Sequence, residues 1–175
     1  MDNDSLYETD ICIWAEQQAA ALRSLASRPD LPNELDLLNV VAEIDDVGNS
    51  QLRSVNSFMR LILSHIILIA ADADADAVPR WTREVATFRG DLMQSYQPSM
   101  HRRIDMDLIW RRAVEEAALK LSTYRWNGTA FDADKIVGRL GSICLFGIDD
   151  LCGESFKFQG LIERLRAHLA LEGGA

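Results

Sequence analysis

The chain has 175 residues, 48% of them apolar, with 4 Pro and 10 Gly. That is enough apolar material for one ordinary domain with a sizeable core, and it excludes a disordered or collagen-like chain. The net charge of −9 makes the chain a poor generic nucleic-acid binder, because neutralising phosphates supplies most of that affinity.

The charge is uneven. Residues 1–50 carry 11 acids and 2 bases, a net of −9, whereas 51–125 carry +2 and 126–175 carry −2. An acidic first third suits solubility or a basic partner. Three cysteines, Cys12, Cys144 and Cys152, are odd in number and lack CxxC spacing, so neither a disulfide framework nor a zinc ribbon is expected and a reducing compartment is. The N-terminus MDNDSLYETD has no apolar h-region, so no secretory signal is expected.

The first helix is predicted over about 8–26, with Ile11, Trp14, Ala15, Gln18, Leu22 and Leu25 on one face. SRPDLPN at 27–33 stops it. Asn33 is a good N-cap for a second helix, whose stripe is Leu37, Val40, Val41, Ile44 and Val47; Gly48 and Asn49 are read as its stop. Ser50 then caps a third helix carrying Leu52, Val55, Met59, Ile62, Ile66 and Ile69. The run FMRLILSHIILIAA at 58–71 is shorter than the roughly 20 residues of a membrane span and is interrupted by Arg60, Ser64 and His65, so a buried core helix is expected.

AADADADAVPRW at 70–81 begins like a calcium loop. Counted from Asp72, however, the turn position is Ala77 and the bidentate position is Arg83, where an EF-hand needs Gly and Glu. Asp72, Asp74 and Asp76 are therefore read as a solvated connection, and Pro79 as the start of a fourth helix with Trp81, Val85, Phe88, Leu92 and Tyr96 inward. Pro98 separates this from a fifth helix, about 99–125, with Met106, Trp110, Ala113, Ala117, Leu121 and Tyr124. Asn127-Gly128 is a turn signal. Asp132 caps a shorter helix with Ile136, Val137, Leu140 and Ile143, and Ser155 begins a last one with Phe158, Leu161, Ile162, Leu165 and Leu169. Trp126, at a helix end, is the tryptophan expected to be exposed.

The expected fold is all-α: a mostly antiparallel up-and-down bundle of five main helices plus one or two C-terminal helices. A single domain over 1–175 is expected, with 126–175 as an extension packed on its core.

YETDICIWAEQQAAALR at 7–23, ELDLLNVVAEIDDVGNS at 34–50, LSHI at 63–66, RW at 80–81 and Arg89 together resemble the bacterial family catalogued as domain of unknown function 29. Its members read Tyr-Glu-x-Asp-(x)3-Trp, then Glu-Ile-x-x-x-Gly, then a Leu-rich helix with His, then Trp and Arg. The matching positions are Tyr7, Glu8, Asp10, Trp14, Glu43, Ile44, Gly48, His65, Trp81 and Arg89, and the resemblance covers about 5–125. It implies an all-helical fold and a cytoplasmic bacterial protein, and no activity. This chain departs from the pattern in LIAADADADAVPR at 68–80, where relatives carry basic residues.

The polar residues that could make a site are Asp36, Glu43 and His65, since carboxylates with an imidazole bind divalent metals or act as acid and base. If the chain turns near Asn49, the rise of 1.5 Å per residue sets His65 level with Glu34 and Asp36 rather than with Glu43. A His65–Asp36 or His65–Glu34 contact is then expected, and Glu43 is read as a partner for an arginine, Arg53 or Arg89, or as an exposed helix residue. His101, Arg102, Arg103, Arg111, Arg112, Arg80 and Arg83 read as solvated, salt-bridged faces, with a basic patch for phosphate or an acidic protein as the alternative. No HExxH or ExxH, Walker loop, GxGxxG or GxSxG is present in the sequence. The reading that follows is a non-enzymatic, cytoplasmic helical interaction or regulatory protein, with a homodimer or a protein partner, no cofactor, no metal, no nucleic acid and no membrane. The alternative is a small metal-assisted or acid–base hydrolase around His65.

Overall fold

The computed structural model describes residues 3–26, 28, 30–32, 34–71, 75–123, 125–126, 129–130, 133–154 and 156–171. Its helices are α1 Asn3–Thr9, α2 Ile11–Leu25, α3 Leu37–Ala71, α4 Val78–Ser95, α5 Met106–Thr123, α6 Ala133–Leu140, α7 Ile148–Cys152 and α8 Phe158–Leu171. A 3₁₀ turn, Pro98–Arg103, precedes α5. Two short antiparallel strands, β1 Arg125–Trp126 and β2 Thr129–Ala130, pair Arg125 with Ala130 and Trp126 with Thr129. The fold is all-helical in class. The expected caps or turns at Asn33, Asn127-Gly128, Asp132 and Ser155, and the acids Asp72 and Asp74, lie outside the described residues, as do the side chains of Tyr124 and Trp126. Asp76 is exposed in a turn.

The element boundaries correct the sequence reading in four places. The first expected helix is interrupted at Asp10, whose side chain caps α2 by accepting from the Ile13 amide at 3.0 Å. An aspartate that can bond the amide three residues on favours a helix start over a helix interior. The fifth expected helix is divided at Ile104, which is extended, and Asp105 accepts from the Leu108 amide at 2.9 Å to start α5. Ile143 is not helical: α6 ends at Leu140, Gly141 takes φ +63, and Ile143 is exposed.

The largest correction concerns α3. The second and third expected helices are one helix of 35 residues. Gly48 does not stop it. A Cβ placed there would stand 3.4 Å from Ala15 Cβ and 3.6 Å from Cys12 Cα, so the glycine serves a close approach of α2 to α3. The buried face of α3 then runs through Leu37, Val41, Gly48 and Val55, while Val40 and Val47, expected inside, are exposed.

The chain forms two compact units, Met1–Val55 with Ser95–Ile104, and Asn56–Gln94 with Asp105–Ala175. In the first, Cys12, Ala15 and Ala19 make the buried seam of α2. Ala19, Leu37 and Val41 cluster with Leu22, Leu25, Leu31 and Ile44. Arg103 ties Glu16 at 3.0 Å and Asn49 at 2.7 Å, and Tyr7 packs edge-on against Trp14, with ring centroids 4.9 Å apart.

The second unit is built on the apolar half of α3, where every residue from Ile62 to Ile69 is buried. By length and composition α3 is long and apolar enough to cross a membrane; within the fold that stretch is a core helix. Trp81, Val85 and Leu92 of α4 and Trp110, Ala113 and Ala117 of α5 are buried in this unit as the stripes predict. Trp110 Nε1 donates to the Leu140 carbonyl at 3.4 Å, and its ring meets Phe146 edge-on. Arg89 donates to the Gly153 carbonyl at 3.1 Å and lies 4.4 Å over the Phe156 ring.

Candidate functional site

The site is centred on His65 and lies wholly in the second unit. α3 presents Leu61 and His65, four residues apart and so on one face. α4 presents Arg80, Trp81, Glu84 and Phe88, and α5 presents Lys120 and Thr123; together they line a cleft of about 520 Å³. Pro79, in the first turn of α4, is pre-set for a helix start and places Arg80 and Trp81 at the cleft's end of that helix.

His65 is 4% exposed. Its Nδ1 lies 2.7 Å from the Leu61 carbonyl oxygen and its Nε2 lies 2.8 Å from Glu84 Oε2. A carbonyl oxygen only accepts, so Nδ1 carries a proton and donates. One further proton then lies on the Nε2–Oε2 line. Burial, the largest influence, holds the imidazole below the ordinary 6.5; Lys120 adds to this, and the bonds to Leu61 and Glu84 oppose it. The ring packs against Phe88, with centroids 5.5 Å apart. Around the cleft, Glu116 pairs with both Arg60 and Lys120, the latter at 2.9 Å, and Arg80 Nε stands 3.7 Å from Glu84 Oε1.

Of the residues read from the sequence as candidates, only His65 is here. Its partner is Glu84, not Asp36 or Glu34: α3 runs on through Asn49, so the hairpin that would have set those residues level does not exist. Asp36 instead caps α3, accepting from the Asn39 amide at 3.3 Å. Glu43 is an exposed helix residue of the first unit, the second of its two readings, and neither arginine pairs with it: Arg53 meets Asp46 at 3.2 Å and Arg89 meets Gly153. Glu84 carried a signal in the sequence. A carboxylate three residues after Trp81 and four before Phe88 sits on the inward face of its helix, and a half-buried carboxylate there needs a partner.

The cysteines lie elsewhere. Burial pushes the Cys144 and Cys152 thiols up to about 11, leaving little thiolate at neutral pH. Burial also raises Cys12, whose Sγ contacts the Gly48 carbonyl at 3.5 Å. Among the described residues, no three His, Cys, Asp or Glu side chains converge as a metal-binding group.

No curated protein matches this chain. A crystal structure of an alpha-helical protein of unknown function from Rhodospirillum rubrum ATCC 11170 is similar to it, with 35% sequence identity and a TM-score of 0.77, over 91% of this chain and 96% of that one. Residues 6–136 match the family described as domain of unknown function DUF29. The match takes in Asp10, Gly48, His65, Trp81, Glu84 and Arg89, and with it the close approach of α2 to α3 and the whole lining of the His65 cleft: the chain belongs to the DUF29 family.

Proposed function

We propose that this chain is a non-enzymatic helical binding protein of the cytoplasm, acting through a second copy of itself or a protein partner. The observation that carries the reading is the commitment of His65. Both ring nitrogens are engaged inside the fold, one by Leu61 and one by Glu84, at 4% exposure. A general base needs a lone pair within reach of a substrate proton, and here that position faces a neighbouring carboxyl. The raised thiols of Cys144 and Cys152 also support a protein that does not use a nucleophile.

One observation favours a second reading, an acid–base hydrolase: the His65–Glu84 pair stands in the wall of an open cleft. The two readings are separated by assaying p-nitrophenyl acetate and p-nitrophenyl phosphate with the wild type and with folded His65→Gln. Equal background rates are expected, with native mass spectrometry giving the assembly state. Turnover by the wild type that is lost in the folded variant would replace the binding reading with the hydrolase.

A further inference from the structure

We infer that one flank of the α2–α3 pair, within the first unit, docks a basic amphipathic helix of a partner protein; this rests on the binding-protein reading above and gives it a surface and a partner chemistry. α2 and α3 run antiparallel where they meet: Cys12 and Ala15 lie against Gly48, and Ala19 clusters with Leu37 and Val41. Polar ties close one flank of the pair, Arg23 to Asp45 and Arg103 to both Glu16 and Asn49. At about 100° per residue, Ile11, Leu22 and Leu25 of α2 and Val40, Ile44 and Val47 of α3 fall on the other flank. These apolar side chains are only partly covered. Leu22, Leu25 and Ile44 touch the buried cluster of this unit yet stay half-buried, and Val40 and Val47 are 39% and 41% exposed.

The charge of the unit chooses the occupant. Residues 1–55 and 95–104 hold 11 acids and 5 arginines, a net of −6. Four of those arginines are already paired, with Asp45, Asp30, Asp46 and Glu16. Glu34 and Glu43 are exposed and meet no cation among the described residues. Glu43 stands three residues after Val40 and four before Val47, so it borders both valines on the helix surface. A cation on a helix seated over the valines would reach it. A second copy of the chain would set one net of −6 against another. A helix whose lysines flank an apolar stripe answers both the acids and the apolar flank, as in the docking of an amphipathic helix on an apolar groove.

The test is a calorimetric titration of the full chain with the synthetic peptide LKKLLKLLKKLLKL, whose leucines repeat at helical spacing, and with its acidic counterpart LEELLELLEELLEL. Saturable binding is expected for the basic peptide and none for the acidic one. Val40→Ser combined with Val47→Ser, at exposed positions, and Glu43→Lys alone are each expected to weaken binding by about tenfold. Glu163→Lys, the same change of charge at an exposed position of α8, is expected to leave it unchanged. No saturable binding of the basic peptide, equal binding of the two peptides, undiminished binding in the valine and Glu43 variants, or an equal loss in Glu163→Lys would overturn the inference. Self-association in sedimentation that the valine changes abolish would also overturn it, by putting a second copy on this flank, and would leave the binding-protein reading standing. Failure of that reading would show instead as His65-dependent turnover in the p-nitrophenyl assays, which do not report on this flank.

Discussion

His65 Nε2 and Glu84 Oε2 stand 2.8 Å apart, joining α3 to α4 across the wall of a cleft, while the other ring nitrogen donates to Leu61 one turn back along α3. The imidazole is held at both ring nitrogens and packed on Phe88. Such a residue fixes the register of two helices, and its removal leaves a carbonyl and a carboxyl without their partner.

His65→Ala is expected to destabilise the protein by about 1–3 kcal/mol, from lost packing and orphaned partners. Glu84→Ala should cost less, and the double variant less than the sum, with a coupling of about 0.5–3 kcal/mol. Urea denaturation of the four proteins measures it. Strict additivity would show that the contact does not contribute to stability.

Acid should weaken the same contact. Burial holds the folded imidazole below 6.5, so below that pH the unfolded chain binds the proton first. The stability contributed by keeping the ring neutral is present in full above about pH 6.5 and is lost as pH falls through the lowered folded value. The stability difference between wild type and His65→Gln is therefore expected to shrink from pH 7 to pH 5. A difference that grows toward acid would mean that the ring is charged in the fold.

Gly48 offers a test of the continuous α3. With 3.4 Å to Ala15 Cβ a methyl group fits at ordinary contact. Gly48→Ala should then be tolerated, and helix propensity should make it more stable by up to about 1 kcal/mol. Gly48→Leu would drive α2 away and should cost about 1–3 kcal/mol. If the glycine instead ended a helix, both changes would destabilise.

Ser64 is fully buried, and its Oγ has no hydrogen-bond partner among the described residues. Ser64→Ala removes a buried hydroxyl at little cost in volume and is expected to stabilise by about 1 kcal/mol, or about 2–4 °C in Tm for a chain of this size. A loss of stability would mean that the hydroxyl is satisfied.

The all-helical class and the inward stripes were legible because periodicity reports which face is buried: Trp81, Val85, Trp110 and Ala117 are all where the spacing puts them. The helix count was not, because Gly48 has two opposite meanings. It ends a helix where the chain needs a left-handed residue, and it sits mid-helix where another helix must come close. Only the position of Ala15 and Cys12 decides between them, and that is tertiary information. The misplaced turn moved the expected partner of His65 from α4 to the start of α3. Asp10 and Asp105 misled in the same way, since a capping side chain inside an apolar stripe looks like a solvent-facing residue until the backbone bends.

The family match ends at residue 136, but several of the bonds that hold the second unit do not. Arg89 rests on Gly153 and Phe156, Trp110 on Leu140 and Phe146, and the carbonyl of Ile69 receives Arg166 at 3.1 Å. A chain shortened at the edge of the recognisable sequence would take the carbonyl acceptors from Arg89 and Trp110, take the Arg166 donor from the Ile69 carbonyl, and bare one side of an indole. The region that evolution makes recognisable and the region that must be synthesised before the second unit can close are different lengths of the same polypeptide.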